Sequence, residues 1–218
     1  MKIETNRHWG IIGFTGSGKT TFSKALLSLI LRGSNGSLPI YILDSKQQGD
    51  FKDLYPIAYR HYGNTVPPKK WWSKERPILI WQPESDDMAL YDRWFNDIYS
   101  LRSPCIVYID ELSSITSVSG KSPRGYDILL RQGRGLGIGV VSVTQSPSFI
   151  PPMLLRQATY LVRFTINDEY DIQKLTRVMG RAVAQQPPDE HGFWFRDLRK
   201  PVAYSPPLYF KDYRDFFR

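Results

Sequence analysis

The stretch "IIGFTGSGKTTFSKALL", Ile11 to Leu27, limits the fold more than any other part of the chain. An apolar run enters a glycine-rich turn, and a lysine and two threonines open a helix with apolar residues at helical spacing. Gly13, Gly18, Lys19 and Thr20 fit the phosphate-binding pattern G-x-x-x-x-G-K-[ST]. Glycine lets backbone N–H groups turn inward around an anion with no Cβ in the way. The helix N-terminus adds partial positive charge at the same place. The loop therefore offers Gly13, Thr15, Gly16, Ser17, Gly18, Lys19, Thr20 and Thr21 to a nucleotide. Lys19 is placed to reach the β- and γ-phosphates, and the Thr20 hydroxyl to sit on Mg²⁺. A chance match in a Gly/Ser-rich turn would lack the flanking context. Here a strand is expected over His8–Gly13, and a helix burying Phe22, Ala25, Leu26, Leu29 and Ile30 is expected to end before Gly33.

Further apolar runs alternate with helical patterns, which predicts an α/β domain with a mainly parallel central sheet flanked by helices. "PIYILD", "PILIWQP", "CIVYIDEL", "GIGVVSVTQSP" and "TYLVRFTI" read as strands, with "SKQQGDFKD" as a polar loop. Ser85 is expected to cap a helix with Met88, Tyr91, Trp94, Phe95 and Ile98 on its apolar face. A short helix is expected over about Gly125–Arg134. Asn167 is expected to cap a helix carrying Ile172, Leu175, Val178 and Met179 and stopped by Gly180. The tail, "HGFWFRDLRKPVAYSPPLYFKDYRDFFR", reads as a short hairpin and an aromatic-basic end. The division expected is a domain over 1–198 and an extension over 199–218 that packs on it or on a neighbour.

The 218 residues allow one ordinary domain with a full core. A single cysteine, Cys105, excludes a disulfide scaffold, suits a reducing cytoplasm and opens an apolar run, so core packing is its expected role. No apolar stretch approaches a membrane span, and "MKIETNRHWG" lacks the apolar region of a signal peptide. The net charge of +8 suggests a polyanionic partner. Basic residues cluster only in "PPKKWWSKERP", Pro67–Pro77, a surface loop that either binds nucleic acid or is merely solvated around partly buried indoles.

In open α/β sheets ligands lie beyond the carboxyl ends of the strands. Asp110 and Glu111 end one apolar run. Asp110 is placed to hold Mg²⁺ through its water shell, and Glu111 to take a proton from an attacking water. Capping the next helix is the plainer role for such a pair. Thr144 and Gln145 end another run. The Gln145 amide can sense a γ-phosphate or simply bond the loop before Pro147. Arg131 and Arg134, in "LLRQGRGLGIG", carry the planar fork that suits developing negative charge, although such arginines are also common on surfaces.

In the order GFTGSGKT, YIDEL, RQGRGLGIGVVSVTQSP, the chain resembles the FtsK–HerA superfamily of DNA-translocating ATPases over roughly Ile11–Gly180. The resemblance implies a P-loop NTPase of the ASCE/RecA-like type, with ATP and Mg²⁺ as its ligands and adenine as its base. "ILDSKQQGDF" resembles the family's aspartate-ended second strand and puts Asp44 near the nucleotide. It further implies a ring-shaped homo-oligomer of five or six subunits in which an arginine from the neighbour, Arg134 or Arg131, completes each site. Two departures stand out. The family often continues Gln-Arg-Pro where Ser146 stands here, so one phosphate-facing arginine is missing or supplied elsewhere. The chain also has no room for the accessory domains of the larger cellular members.

A nearly bare core resembles the genome-packaging ATPases of viruses, which implies double-stranded DNA, capsid vertex or portal proteins as partners, and the host cytoplasm or virion vertex as location. The alternatives are an FtsK–HerA-like motor for repair or conjugation, an ATPase acting on protein assembly, and a P-loop kinase. A base beside Asp110 argues against the kinase, and the absence of Asn-Lys-x-Asp argues against a GTPase. For DNA contact, Lys121 and Arg124 in "SSITSVSGKSPRG" are the candidates, the other reading being an ordinary mobile loop.

Overall fold

The computed structural model describes residues 4–117 and 119–207. The strands are β1 (Trp9–Ile12), β2 (Ile40–Leu43), β3 (Ala58–Tyr62), β4 (Ile78–Gln82), β5 (Cys105–Ile109), β6 (Ile138–Thr144), β7 (Tyr160–Arg163), β8 (Phe193–Asp197) and β9 (Ala203–Ser205). They form one sheet in the order β3-β4-β2-β5-β6-β1-β7-β8-β9. The first seven in chain order run parallel, and β8 and β9 add an antiparallel hairpin at one edge. The expected mainly parallel α/β sheet is thus present. β1, β2, β4, β5, β6 and β7 are buried along their whole length. This is why they read as continuous apolar runs rather than alternating ones.

Helices α1 (Lys19–Gly33), α2 (Met88–Ser100), α3 (Arg124–Gln132), α4 (Pro152–Gln157) and α5 (Glu169–Met179) cover both faces. On one face Phe22, Leu26 and Ile30 of α1 pack on Trp9, Ile40, Val141 and Tyr160. On the other, Tyr91, Trp94 and Phe95 of α2, Leu129 and Leu130 of α3 and Leu175 of α5 pack on Leu43, Val107 and Val140. Cys105 lies in this second core, and burial pushes its thiol up to about 12, which leaves it inert. Trp71 packs edge-on against Tyr41 with ring centroids 5.1 Å apart, whereas Trp72 beside it is exposed. Among the described residues no helix is long and apolar enough to cross a membrane.

Several local expectations are corrected. Asp87, not Ser85, caps α2, accepting from Ala89 N at 2.9 Å. The Ser85 carbonyl accepts from Asp87 N, so the chain is still turning at Ser85. Met88 is then the first helical residue and is exposed, leaving Tyr91, Trp94, Phe95 and Ile98 as the buried face. Asp168, not Asn167, caps α5 by accepting from Asp171 N at 2.9 Å; a carboxylate one residue later reaches the free N–H groups. Gly33 belongs to α1, while Gly180 does stop α5, at φ 109°. The edge strand β3 was not expected, because Arg60 and His61 interrupt its apolar pattern. Of the 199–218 extension, residues 199–207 include β9, and 208–218 lie outside the described residues.

One topological fact builds the site. β6 lies between β1 and β5, with Ile12 opposite Thr144 and Ile109 opposite Ser142. The phosphate loop, the Thr144–Gln145 end and the Asp110–Glu111 pair therefore emerge side by side at one edge of the sheet, the arrangement expected of an ASCE/RecA-like core.

Candidate nucleotide-binding site

The loop between β1 and α1 is set by sterics. Gly16 and Gly18 have φ of 82° and 106°, conformations that cost little only for glycine. Gly13 is required by space instead: a Cβ there would lie 2.6 Å from Phe164 Cβ. The loop is tied to the sheet by Gly13 N donating to Thr144 O at 3.2 Å and Phe14 N donating to Thr165 O at 3.0 Å. Ser17 Oγ is buried without a hydrogen-bond partner. Thr20 is half-buried at the first turn of α1 and Thr21 is exposed.

Lys19 is buried, and its Nζ donates to the loop's own Phe14 O at 2.7 Å. Burial pushes its pKa down to about 8, helped by Lys46 and opposed by Glu111 and Asp110. Thr15 Oγ1 donates to Gln145 Oε1 at 2.9 Å, and Gln145 N donates to Glu111 Oε1 at 3.4 Å. A chain of contacts thus joins the loop to the glutamine and the glutamine to the acidic pair.

Asp110 and Glu111 are both buried. Burial pushes the Asp110 carboxyl up to about 6, with Lys46 opposing the rise and Asp44, Asp50 and Glu111 adding to it. Asp110 Oδ2 and Glu111 Oε2 have no hydrogen-bond partner, a costly arrangement for buried carboxylate oxygens that suits a cation. Glu111 also caps the short 3-10 turn Leu112–Ser114, accepting from Ser113 N, so the plainer capping role is filled as well. Among the described residues no cluster of three His, Cys, Asp or Glu could hold a metal alone. Mg²⁺ here would need the Thr20 hydroxyl, Asp110 and phosphate oxygens together, as a P-loop site does.

Asp44 ends β2 fully buried, and burial raises its pKa. Its oxygens are taken by Gln47 N at 3.1 Å and Gln82 Nε2 at 2.7 Å. In this geometry it builds a turn rather than offering a free oxygen to a nucleotide. That turn carries Lys46, whose Nζ lies 3.3 Å from Glu111 Oε2 and 3.6 Å from Asp110 Oδ2. Sequence reasoning missed Lys46. The available signal was a cation two residues beyond an acidic strand end, on the sheet edge that binds ligands.

Ser146 resolves one departure from the family pattern. Its Oγ donates to Asp171 of α5 at 2.6 Å, and Ser148 Oγ donates to the other oxygen at 2.7 Å. The position after Gln145 is thus committed to α5, while bordering the open cleft that Phe14 and Thr15 also line.

The remaining candidates lie elsewhere. Arg131 and Arg134 precede β6, whose seven residues rise roughly 20 Å before reaching Gln145. They are at the opposite edge of the sheet from the phosphate loop of the same chain. Arg131 Nε contacts Met153 Sδ at 3.4 Å, whereas Arg134 is exposed. Lys121 and Arg124 are exposed. The chain around them is fixed by Ser117 N donating to Lys121 O at 3.0 Å and Gly125 N donating to Asp92 Oδ1 at 2.6 Å.

A family model described as the central domain of the helicase HerA matches residues 3–102, from the chain entering β1 to just beyond α2. The fold matches that of B204, the DNA-packaging ATPase from Sulfolobus turreted icosahedral virus, with a TM-score of 0.77 over 95% of this chain and 100% of that one, at 16% identity. The chain therefore has the fold of a P-loop NTPase. B204 from the second Sulfolobus turreted icosahedral virus, solved with ATPγS, gives a TM-score of 0.76 at 13% identity, covering 95% of this chain and 100% of its own. At such identities the likeness of structure establishes the shared fold. In sequence this chain is 22% identical over 206 residues to Protein P9 of Pseudoalteromonas phage PM2, covering 90% of this chain and 88% of that protein.

Proposed function

We propose that the chain is an ATP-hydrolysing DNA translocase, and that its task is to drive double-stranded DNA into a viral capsid. The observation that carries the enzymatic part is the placing of Gln145 between loop and carboxylates, bonded to Thr15 on one side and Glu111 on the other. A γ-phosphate entering that gap would meet donors from the loop, an amide and a buried base at once. The packaging part is supported by the fold of B204, named as a DNA-packaging ATPase, and by the net charge of +8.

In this reading the loop N–H groups and Lys19 would bind the phosphates, and Thr20 and Asp110 would hold Mg²⁺, which would supply charge neutralisation. Glu111 accepts the proton of a water that Gln145 orients. A kinase would need that water excluded. Lys121 and Arg124 face a central DNA channel in a ring of copies, with capsid vertex proteins as the docking partner.

Two expected results test the reading. Glu111→Gln keeps the side-chain shape and the bond from Gln145 N but removes the base. Phosphate release is expected to fall by about 10²–10⁴ while labelled ATP remains bound; turnover within a few-fold of wild type would require another base. Double-stranded DNA should stimulate the wild-type rate. Replacing Lys121 and Arg124 together with alanine should weaken that stimulation and reduce its salt slope by about 2. An unchanged slope removes both from the DNA contact.

A further inference from the structure

Lys46 is the charged group at the site to which the proposed mechanism gives no task. Its Nζ lies 3.3 Å from Glu111 Oε2 and 3.6 Å from Asp110 Oδ2, and it donates to Asp110 O at 3.4 Å. The two carboxylate oxygens it faces are the ones without a hydrogen-bond partner, so this ammonium is the cation in contact with them, with the Lys19 charge acting from farther off. Its own position is built rather than incidental. Asp44 holds the turn by accepting from Gln47 N and from Gln82 Nε2. Gln47 sits at φ 52°, unusual for a residue with a side chain, and its amide is anchored on Pro83 O. Bonds at two strand ends, those of β2 and β4, thus fix a turn whose effect is to aim one lysine at the acidic pair.

We propose that Lys46 is the resting counter-ion of Asp110 and Glu111, and that it withholds them from free divalent metal until a nucleotide arrives. A cation bound directly by Asp110 or through its water shell would sit within a few ångströms of this ammonium. The two positive charges cannot share the pair at low cost in a buried setting. Nucleotide phosphates change the balance, because they bring anionic oxygens that can take over the lysine while they help bind the metal. Lys46 is then a positioning residue: it keeps Glu111 engaged in the empty site and frees it when the site is loaded. This rests on Asp110 and Glu111 being the metal-and-base pair proposed above.

The test uses Mn²⁺ as a spectroscopic probe, titrated into the nucleotide-free chain and followed by the loss of the free-ion signal. Lys46→Met should bind Mn²⁺ at least about tenfold more tightly than wild type. Lys46→Arg, which restores the charge, should bring binding back to the weak wild-type level. Asp110→Asn added to Lys46→Met should abolish the gain. Equal Mn²⁺ affinity in folded Lys46→Met and wild type overturns the proposal. Should Lys46→Met fail to fold without metal, the proposal requires millimolar Mn²⁺ to restore the fold, since metal then replaces the lost charge; failure to do so overturns it equally. ATP hydrolysis by wild type is measured separately. A hydrolysing wild type with no gain in Lys46→Met sinks this inference alone. A wild type without hydrolysis sinks the earlier reading while the Mn²⁺ comparison still reports on Lys46.

Discussion

Lys19→Ala is expected to abolish ATP turnover in a chain that still folds, and to weaken ATP binding by roughly 10- to 150-fold, the value of one lost hydrogen bond to a charged group. The geometry explains why so much rests on one side chain. Lys19 is 6% exposed, and its ammonium is donated to Phe14 O, a carbonyl of the loop it serves. Burial already pushes its pKa down to about 8, so the charged form is held at a cost in the empty site and gains most when phosphate oxygens replace the carbonyl. Alanine removes that gain without leaving a buried charge unpaired, so the fold should survive, with a small shift in melting temperature. Titration with a fluorescent ATP analogue and a phosphate-release assay check both parts. Near-normal hydrolysis by the folded variant would end the motor reading.

The fold was legible wherever burial on both faces forced a continuous apolar run. "PIYILD", "CIVYID" and "GIGVVSVT" could be assigned because parallel strands covered by helices leave no alternation to confuse the pattern. The edge strand "AYRHY" was lost for the converse reason. Only its Ala58 is buried, and Arg60 lies 3.7 Å from the Tyr55 ring rather than in a core. Helix starts were misplaced where two capping residues compete, as at Ser85 against Asp87 and Asn167 against Asp168. Composition alone does not say which side chain reaches the free N–H groups.

The site divides in the same way. The loop, Asp110–Glu111 and Gln145 could be marked from strand ends, because a parallel sheet sends all its carboxyl ends to one edge. The neighbours of each strand could not. That β6 lies between β1 and β5, which brings Gln145 within reach of Thr15, is a long-range pairing with no local sign. The roles of Asp44 and Lys46 depend on a turn closed by Gln82, far along the chain, and the Ser146–Asp171 bond depends on where α5 docks.

Arg134→Ala is expected to lower turnover by ~10³–10⁵, the value of an arginine supplied to the transition state in related phosphoryl-transfer enzymes. The fold sharpens what such a loss would mean. Arg134 precedes β6 and lies at the opposite end of that strand from Gln145, roughly 20 Å away, so it cannot serve the loop of its own chain without refolding the sheet. Arg134 is exposed and so accessible to a neighbouring copy, whereas Arg131 already rests on Met153. The receiving side is an open cleft of about 540 Å³ bordered by Phe14, Thr15, Gln145 and Asp168, large enough for a side chain from outside. Mixing Arg134→Ala with Lys19→Ala decides the matter. If the arginine acts between copies, some mixed interfaces join an intact loop to an intact arginine, and activity partly returns although each variant alone is inactive. Mixtures shown to co-assemble that recover nothing would confine Arg134 to a structural role, because the distance within one chain leaves it no catalytic one.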